Sequence, residues 1–363
     1  MPLGVYVHVP FCLTRCGYCD FNTYTSGDRG AYVAAALTEI DLAAAQLRRP
    51  ADTVFLGGGT PTLLTPDQIG RLLARMRERL GLADDVEVTI EANPDTVDRA
   101  TLAGLREAGA TRVSFGVQSV RAHVLAALER VHGPERALQA IADARAAGFD
   151  VISADLIYGT PGEDADDWEA SLRAVLAAGV DHVSAYGLSI EPGTRLGAQV
   201  RNGTRPAPDP DTMADRYAAA DALLGAAGLR WYELSNWARE PRARCRHNIG
   251  YWRSGDWWGI GPGAHSHVGG TRWWNVAHPA RYAAALAAGR SPALARETLD
   301  PGTRRLERVM LESRLADGLA TDLCDPAALE RLRAGGLLRV HAGRAVLTLR
   351  GRQVADAVVR DLA

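Results

Sequence analysis

The chain has 363 residues, 47% hydrophobic and 23% charged, with a formal net charge of -2 and a pI near 6.5. That balance suits a globular protein of about two domains, gives no polyanion-binding signature, so that no nucleic acid is expected as partner, and leaves no apolar run as long as a membrane-spanning helix. Five cysteines, three of them crowded near one end, do not make a disulfide framework, and the first residues lack a basic and then apolar leader, so a reducing, cytoplasmic location is expected.

Taken in chain order, short β-branched runs alternate with Ala/Leu/Arg-rich stretches of helical period. Strands are predicted at VYVHV from Val5, TVFLG from Thr53, VEVTIEA from Val86, RVSFGVQ from Arg112, VISADLIYG from Val151 and HVSAYGLS from His182. Helices are predicted between them over residues 32–47, 67–80, 98–108, 134–147 and 165–178. Six successive βα units imply a parallel sheet, either open and doubly wound or curled into an incomplete barrel.

Residues 201–212, RNGTRPAPDPDT, read as a loop that ends the βα series. Residues 229–275 then hold seven of the eight tryptophans and three of the nine histidines. After residue 291 the chain turns helical and closes with a helix, a hairpin turning at residues 341–343 and a last helix, the pattern of a small winged-helix-like unit. It lacks a long basic face and reads as a packing or covering domain rather than a DNA-binding one. The expected division is therefore 1–205, 206–290 as a connecting Trp/His-rich segment, and 291–363.

Cys12, Cys16 and Cys19 have the spacing C-x3-C-x2-C in a loop directly after the first strand. A cubane iron–sulfur cluster usually takes four thiolates, so three leave one iron open to another ligand. A structural zinc with Cys245 or a histidine as fourth ligand is the alternative, but such sites commonly pair two C-x2-C units, and no second pair exists. Polar groups then fall at successive strand ends, where barrel active sites sit: GGGTPT from Gly57, Glu91, Gln118 and Asp155, with Arg130 in LERVHG able to pair with a carboxylate. Asp95 and Asp98 are better read as helix caps, and Cys324 as a small buried hydrophobe.

The C-x3-C-x2-C loop, with Tyr18 before its third cysteine, resembles the radical S-adenosylmethionine (SAM) superfamily. The resemblance runs over nearly the whole chain to the family of oxygen-independent coproporphyrinogen III oxidases and its HemW-type haem chaperones, through YVHVPFC, CGYCDF, GGGTPT, EANPDT, VSFGVQS, ERVHGP, DLIYGTPGE, YGLSIEPGT and CRHNIGYW. It implies an incomplete (βα)6 barrel in which Cys12, Cys16 and Cys19 hold a 4Fe-4S cluster whose fourth iron is chelated by SAM. Tyr6, Gly58, Gly59, Thr60, Glu91, Gln118, Arg130 and Asp155 would contact SAM. The oxidases carry a further Cys two positions after the third, where this chain has Phe21, and HNIGYW is similar to the chaperone motif H-N-x-x-Y-W.

The resemblance therefore implies haem binding and delivery to haem-dependent proteins such as respiratory ones. Its rival is radical decarboxylation of coproporphyrinogen III propionates to vinyls. His247 is the haem-ligand candidate, with Cys245 and, more weakly, His265 behind it, and Tyr251, Trp252, Trp257 and Trp258 as porphyrin-packing surfaces. An electron donor such as flavodoxin or ferredoxin is the further partner expected, with a homodimer and a transient membrane contact left open. No catalytic residue is assigned.

Overall fold

A computed structural model describes residues 2–363. Its main sheet has twelve strands: β1 (Leu3–Val9), β2 (Ala51–Gly58), β3 (Leu82–Ala92), β4 (Arg112–Gln118), β5 (Val151–Tyr158), β6 (His182–Gly187), β7 (Arg230–Glu233), β8 (Asn236–Ala238), β9 (Asp256–Ile260), β10 (His265–Val268), β11 (Thr271–Asn275) and β12 (Ala293–Thr298). Their spatial order is β12-β11-β10-β9-β1-β2-β3-β4-β5-β6-β8-β7, with β1 to β6 parallel. The expected α/β architecture is observed, with the six βα units in sequence order and a smaller C-terminal part beside them.

Strict alternation along β1 to β6 shows why the sheet curls around a lumen. Leu3, Val5, Val7 and Val9 on β1, Val54 and Leu56 on β2, and Ile152, Ala154 and Leu156 on β5 are fully buried in the main core. Each buried Val or Leu side chain contributes roughly 1.5–3 kcal/mol, so this face holds the helical layer to the sheet. The intervening positions are Tyr6, Thr53, Thr89, Glu91, Arg112, Ser114, Ser153, Asp155, His182 and Ser184. A two-sided core would make parallel strands continuously apolar; here most of the alternate positions are polar, Phe55 excepted, and face inward.

The helices follow the expected ones within a few residues, at Arg29–Ala44, Pro66–Arg79, Arg99–Glu107, Pro134–Ala146 and Ala165–Ala177. Asp98 caps its helix as expected, accepting from Thr101 N at 2.7 Å.

Residues 206–290 are not a connector. They contribute a helix at Pro210–Ala226 and strands at both edges of the main sheet: β7 and β8 extend it beyond β6, while β9 lies parallel beside β1 and carries β10 and β11 with it. This extension is fastened by Glu39 of the first helix, whose carboxylate accepts from Gly261 N, Asn275 Nδ2 and Tyr282 Oη. Because β12 also belongs to the main sheet, the C-terminal unit begins at the helix Pro301–Glu312 rather than at 291. It then adds Pro326–Ala334, three short strands (Leu319–Ala320, Leu338–His341 and Arg344–Leu347) and two last helices, with Cys324 in its small core as expected.

Candidate functional site

The turn after β1 is closed by backbone bonds, Tyr24 N to Pro10 O at 2.7 Å and Cys12 N to Tyr24 O at 3.0 Å, so residues between them form a loop on a fixed stem. The stem is stitched to the end of β2: Gly59 N donates to Val9 O at 2.8 Å and Thr60 N to Phe11 O at 2.7 Å. A Cβ on Gly59 would lie 2.5 Å from Phe11 O and 2.8 Å from Val9 O, so only glycine lets these segments meet. Tyr18 anchors the loop in an apolar cluster with Val124, Leu128, Ile157, Leu188 and Leu196. Asn22 fixes its far end to the extension through Pro262 O and Ala277 O.

Cys12, Cys16 and Cys19 border a cavity of about 550 Å³ that runs through the lumen, from the C-terminal ends of the strands down to Arg112, His182 and Tyr251. Burial raises the Cys12 and Cys19 thiols, with the Thr60 hydroxyl, 3.7 Å from Cys12 Sγ, acting against it at Cys12. Every expected SAM-contacting residue lines the same cavity: Tyr6, Gly58, Gly59, Thr60, Glu91, Gln118, Arg130 and Asp155.

Their local structure explains how they arrive there. Gly58 adopts φ 103° and turns its N–H onto Glu91 Oε2 at 3.1 Å. A register shift in the β4–β5 pairing accompanies Gln118, which holds φ 64°, a conformation few non-glycine residues adopt. Such strain is typical of a side chain held in place for binding. Glu129, also left-handed at φ 55°, ends a short helix so that Arg130 turns back to the lumen.

The Arg130 guanidinium reaches Gly116 O at 3.0 Å, Asn93 Oδ1, and Cys16 Sγ at 3.6 Å, while its buried Nε has no protein partner. Across the cavity, Asp155 accepts from Ser114 Oγ at 2.9 Å. Burial raises Asp155, and burial together with the Asp155 charge pushes Glu91 up to about 8.

Two carboxyls that repel each other call for a cation, and an orphaned guanidinium N–H calls for an acceptor; the ammonium, sulfonium and carboxylate of SAM supply all three. The residues therefore fit SAM, and three thiols on one rim fit a cluster with one iron left open. Among the described residues no group of three or more His, Cys, Asp or Glu is arranged around a single metal ion. Cys245, the fourth ligand weighed for zinc, lines the same cavity as the triad but is buried, with its Sγ 3.7 Å from Glu87 Oε1.

His247, the haem-ligand candidate of the sequence, is closed in on every side. Its residue is 3% exposed, Nδ1 bonds Thr53 Oγ1 at 2.8 Å, Nε2 bonds Tyr251 Oη at 2.7 Å, and the ring stacks on Phe55 at 5.2 Å. With both nitrogens engaged and burial lowering its pKa to about 3, His247 is a neutral imidazole enclosed by Thr53, Phe55 and Tyr251. Glu87 holds the start of the same helix, accepting from Arg246 N and His247 N. Trp258 is core, whereas Trp257 is half-buried and Tyr251 lines the lumen.

Sequence reasoning missed Asn93, Ser114 and Asn22. For Ser114 the signal was present, as a polar residue at an alternate position in an apolar strand. Asn93 and Asn22 act through contacts that no local pattern announces.

Comparison with known proteins agrees with this geometry. Residues 6–175 match the family model of the radical SAM superfamily. The chain is 52% identical to the heme chaperone HemW of Mycobacterium tuberculosis, over 99% of this chain and 95% of that protein. It is 40% identical to heme chaperone HemW of Escherichia coli, over 74% of this chain and 70% of that one. The solved structure of coproporphyrinogen III oxidase HemN from Escherichia coli, a radical SAM enzyme, superposes with a TM-score of 0.84 at 24% identity, covering 99% of this chain and 89% of that chain, a likeness of fold.

Proposed function

The chain belongs to the HemW family of the radical SAM superfamily, and from that premise we propose that it is a haem chaperone, binding haem and delivering it to haem-dependent proteins such as respiratory ones. The superfamily implies a 4Fe-4S cluster and SAM. In this reading Cys12, Cys16 and Cys19 hold the cluster, while Glu91, Asp155 and Arg130 bind the charged groups of SAM, helped by Tyr6, Gln118 and the Gly58–Thr60 turn. The cluster supplies one-electron chemistry and SAM the group that receives the electron. The protein orients them: Arg130 beside Cys16 offsets thiolate charge, and the 57% exposed Phe21 stands on the rim where an oxidase-type cysteine would be.

The observation that carries the chaperone reading over the oxidase one is near full-length identity to HemW proteins, together with Phe21 at that position. No helix among the described residues is long and apolar enough to cross a membrane. The proposal places the protein in the cytoplasm, with a flavodoxin- or ferredoxin-type donor reducing the cluster, a homodimer, and a transient membrane contact during haem delivery.

An anaerobic haem titration of the cluster-reconstituted protein, followed by absorption, tests the reading. Saturable one-site binding is expected. Absence of saturable binding, with turnover of coproporphyrinogen III, would replace it with the oxidase reading.

A further inference from the structure

A haem chaperone needs an iron ligand that can be reached and released, and neutral imidazole is a common one. A ligating imidazole uses one nitrogen for iron and gives the other to a neighbour, so access decides: of the nine histidines, His8, His132, His182, His247 and His267 are buried, and the exposed His123 pairs with Asp167 between two outer helices. His8 bonds Tyr6 Oη and Asn22 O, His123 Asp167, His132 Val117 O, His182 Ser153 and Tyr232, His247 Thr53 and Tyr251, and His267 Gly255 O. The rings of His265, His278 and His341 make no hydrogen bond among the described residues, and all three residues are exposed.

These three differ in their setting. His341 sits at the hairpin tip of the C-terminal unit, and His278 precedes a helix with its ring edge-on to Tyr24 at 6.0 Å. His265 lies on β10, within the sheet that forms the lumen wall. Pairing places Trp257 beside Gly4 and Gly259 beside Tyr6, His267 beside Trp257, and Trp274 beside His265. Paired residues share a face, so Tyr6, Trp257, His265 and Trp274 lie on one continuous inner surface.

On that surface Trp274 stacks along the His265 ring, 5.8 Å between centroids at 24°, which holds the imidazole upright and limits its rotation. The backbone beneath is fixed as well: Trp257 Nε1 donates to His265 O at 3.0 Å. A Cβ on Gly259 would lie 2.2 Å from that same oxygen, so the flat residue between the two aromatic positions admits no side chain. Partial burial and then the Arg272 charge hold His265 below its ordinary pKa, in the neutral form that binds iron.

Resting on the haem-chaperone reading, we propose that His265, braced by Trp274 on the inner face of the β9–β11 extension, is the axial ligand to haem iron, and that His247 is not. The exposed imidazole supplies the bond to iron and the half-buried Trp257 apolar contact for the macrocycle. The site adjoins the cluster loop through Asn22, which bonds Pro262 O just before β10.

The test is an anaerobic haem titration of the reconstituted full chain and of His265→Ala and His278→Ala, read by absorption and electron paramagnetic resonance. Loss of one strong coordinate bond is expected to weaken binding by about tenfold or more in His265→Ala and to change its ligand-field bands. Free imidazole should restore those bands in the variant, which a merely structural histidine would not allow, and His278→Ala should match the parent. Unchanged affinity and bands in His265→Ala, in a parent protein that binds haem, would overturn this assignment alone. A parent that binds no haem would remove the chaperone reading and the assignment with it.

Discussion

The two ends of the helix-and-sheet barrel treat polar groups in opposite ways. At the C-terminal ends of the strands, Arg130 Nε has no partner, Glu91 and Asp155 repel one another, and three thiols stand at a cavity rim. Beneath the strands, the helix Arg246–Trp252 leaves little open: Glu87 receives its first amides, and His247 spends both ring nitrogens on Thr53 and Tyr251. Unsatisfied buried groups are costly, so they persist where a ligand completes them. A motif can be shared by a family for either reason, and only the hydrogen bonds tell which.

The largest effect should come from the rim. Cys16→Ala is expected to abolish cluster assembly, measured as iron and sulfide content and the visible absorption after anaerobic reconstitution, while leaving the thermal unfolding of the cluster-free chain nearly unchanged. At the other end the pattern should reverse. His247→Ala strands the Thr53 and Tyr251 hydroxyls and opens a cavity, so it is expected to cost about 3 kcal/mol in urea unfolding yet leave cluster iron intact. Equal loss of iron in both variants would erase the distinction.

Acidity sharpens the same comparison. Glu91 is raised from 4.5 to about 8 in the folded chain, so the native state holds the proton more tightly and SAM-free stability should fall as pH rises from about 4.5 to about 8. Glu91→Gln should flatten that fall and bind SAM more weakly. His247 has the opposite sign: lowered from 6.5 to about 3, it stays neutral when folded, so its contribution is lost as pH falls through that window. Urea midpoints against pH for the two variants read both slopes. The smallest effect belongs to the exposed rim. Phe21→Ala should change stability by less than about 0.5 kcal/mol and leave the iron content as it is.

Much of the barrel was legible because period-two strands and helical stretches repeat locally, and the cysteine spacing names its own chemistry. Glu91 and Asp155 were legible as polar groups at strand ends. What stayed hidden depends on distant pairing. WW and RW runs carry aromatic residues on both faces, so residues 256–275 gave no clean strand period, and nothing local says that Trp258 will lie beside Val5 across some 250 residues. For the same reason the enclosure of His247 was not legible: Thr53 and the strands above it come from elsewhere in the chain.

The central claim is that tetrapyrrole is cargo here rather than substrate. One reconstituted, SAM-loaded preparation, reduced anaerobically, would be given haem with an apo haem protein in one arm and coproporphyrinogen III in the other. The account predicts haem transfer, seen as the acceptor's holo spectrum, and no release of carbon dioxide from the porphyrinogen. Decarboxylation without haem transfer would contradict it.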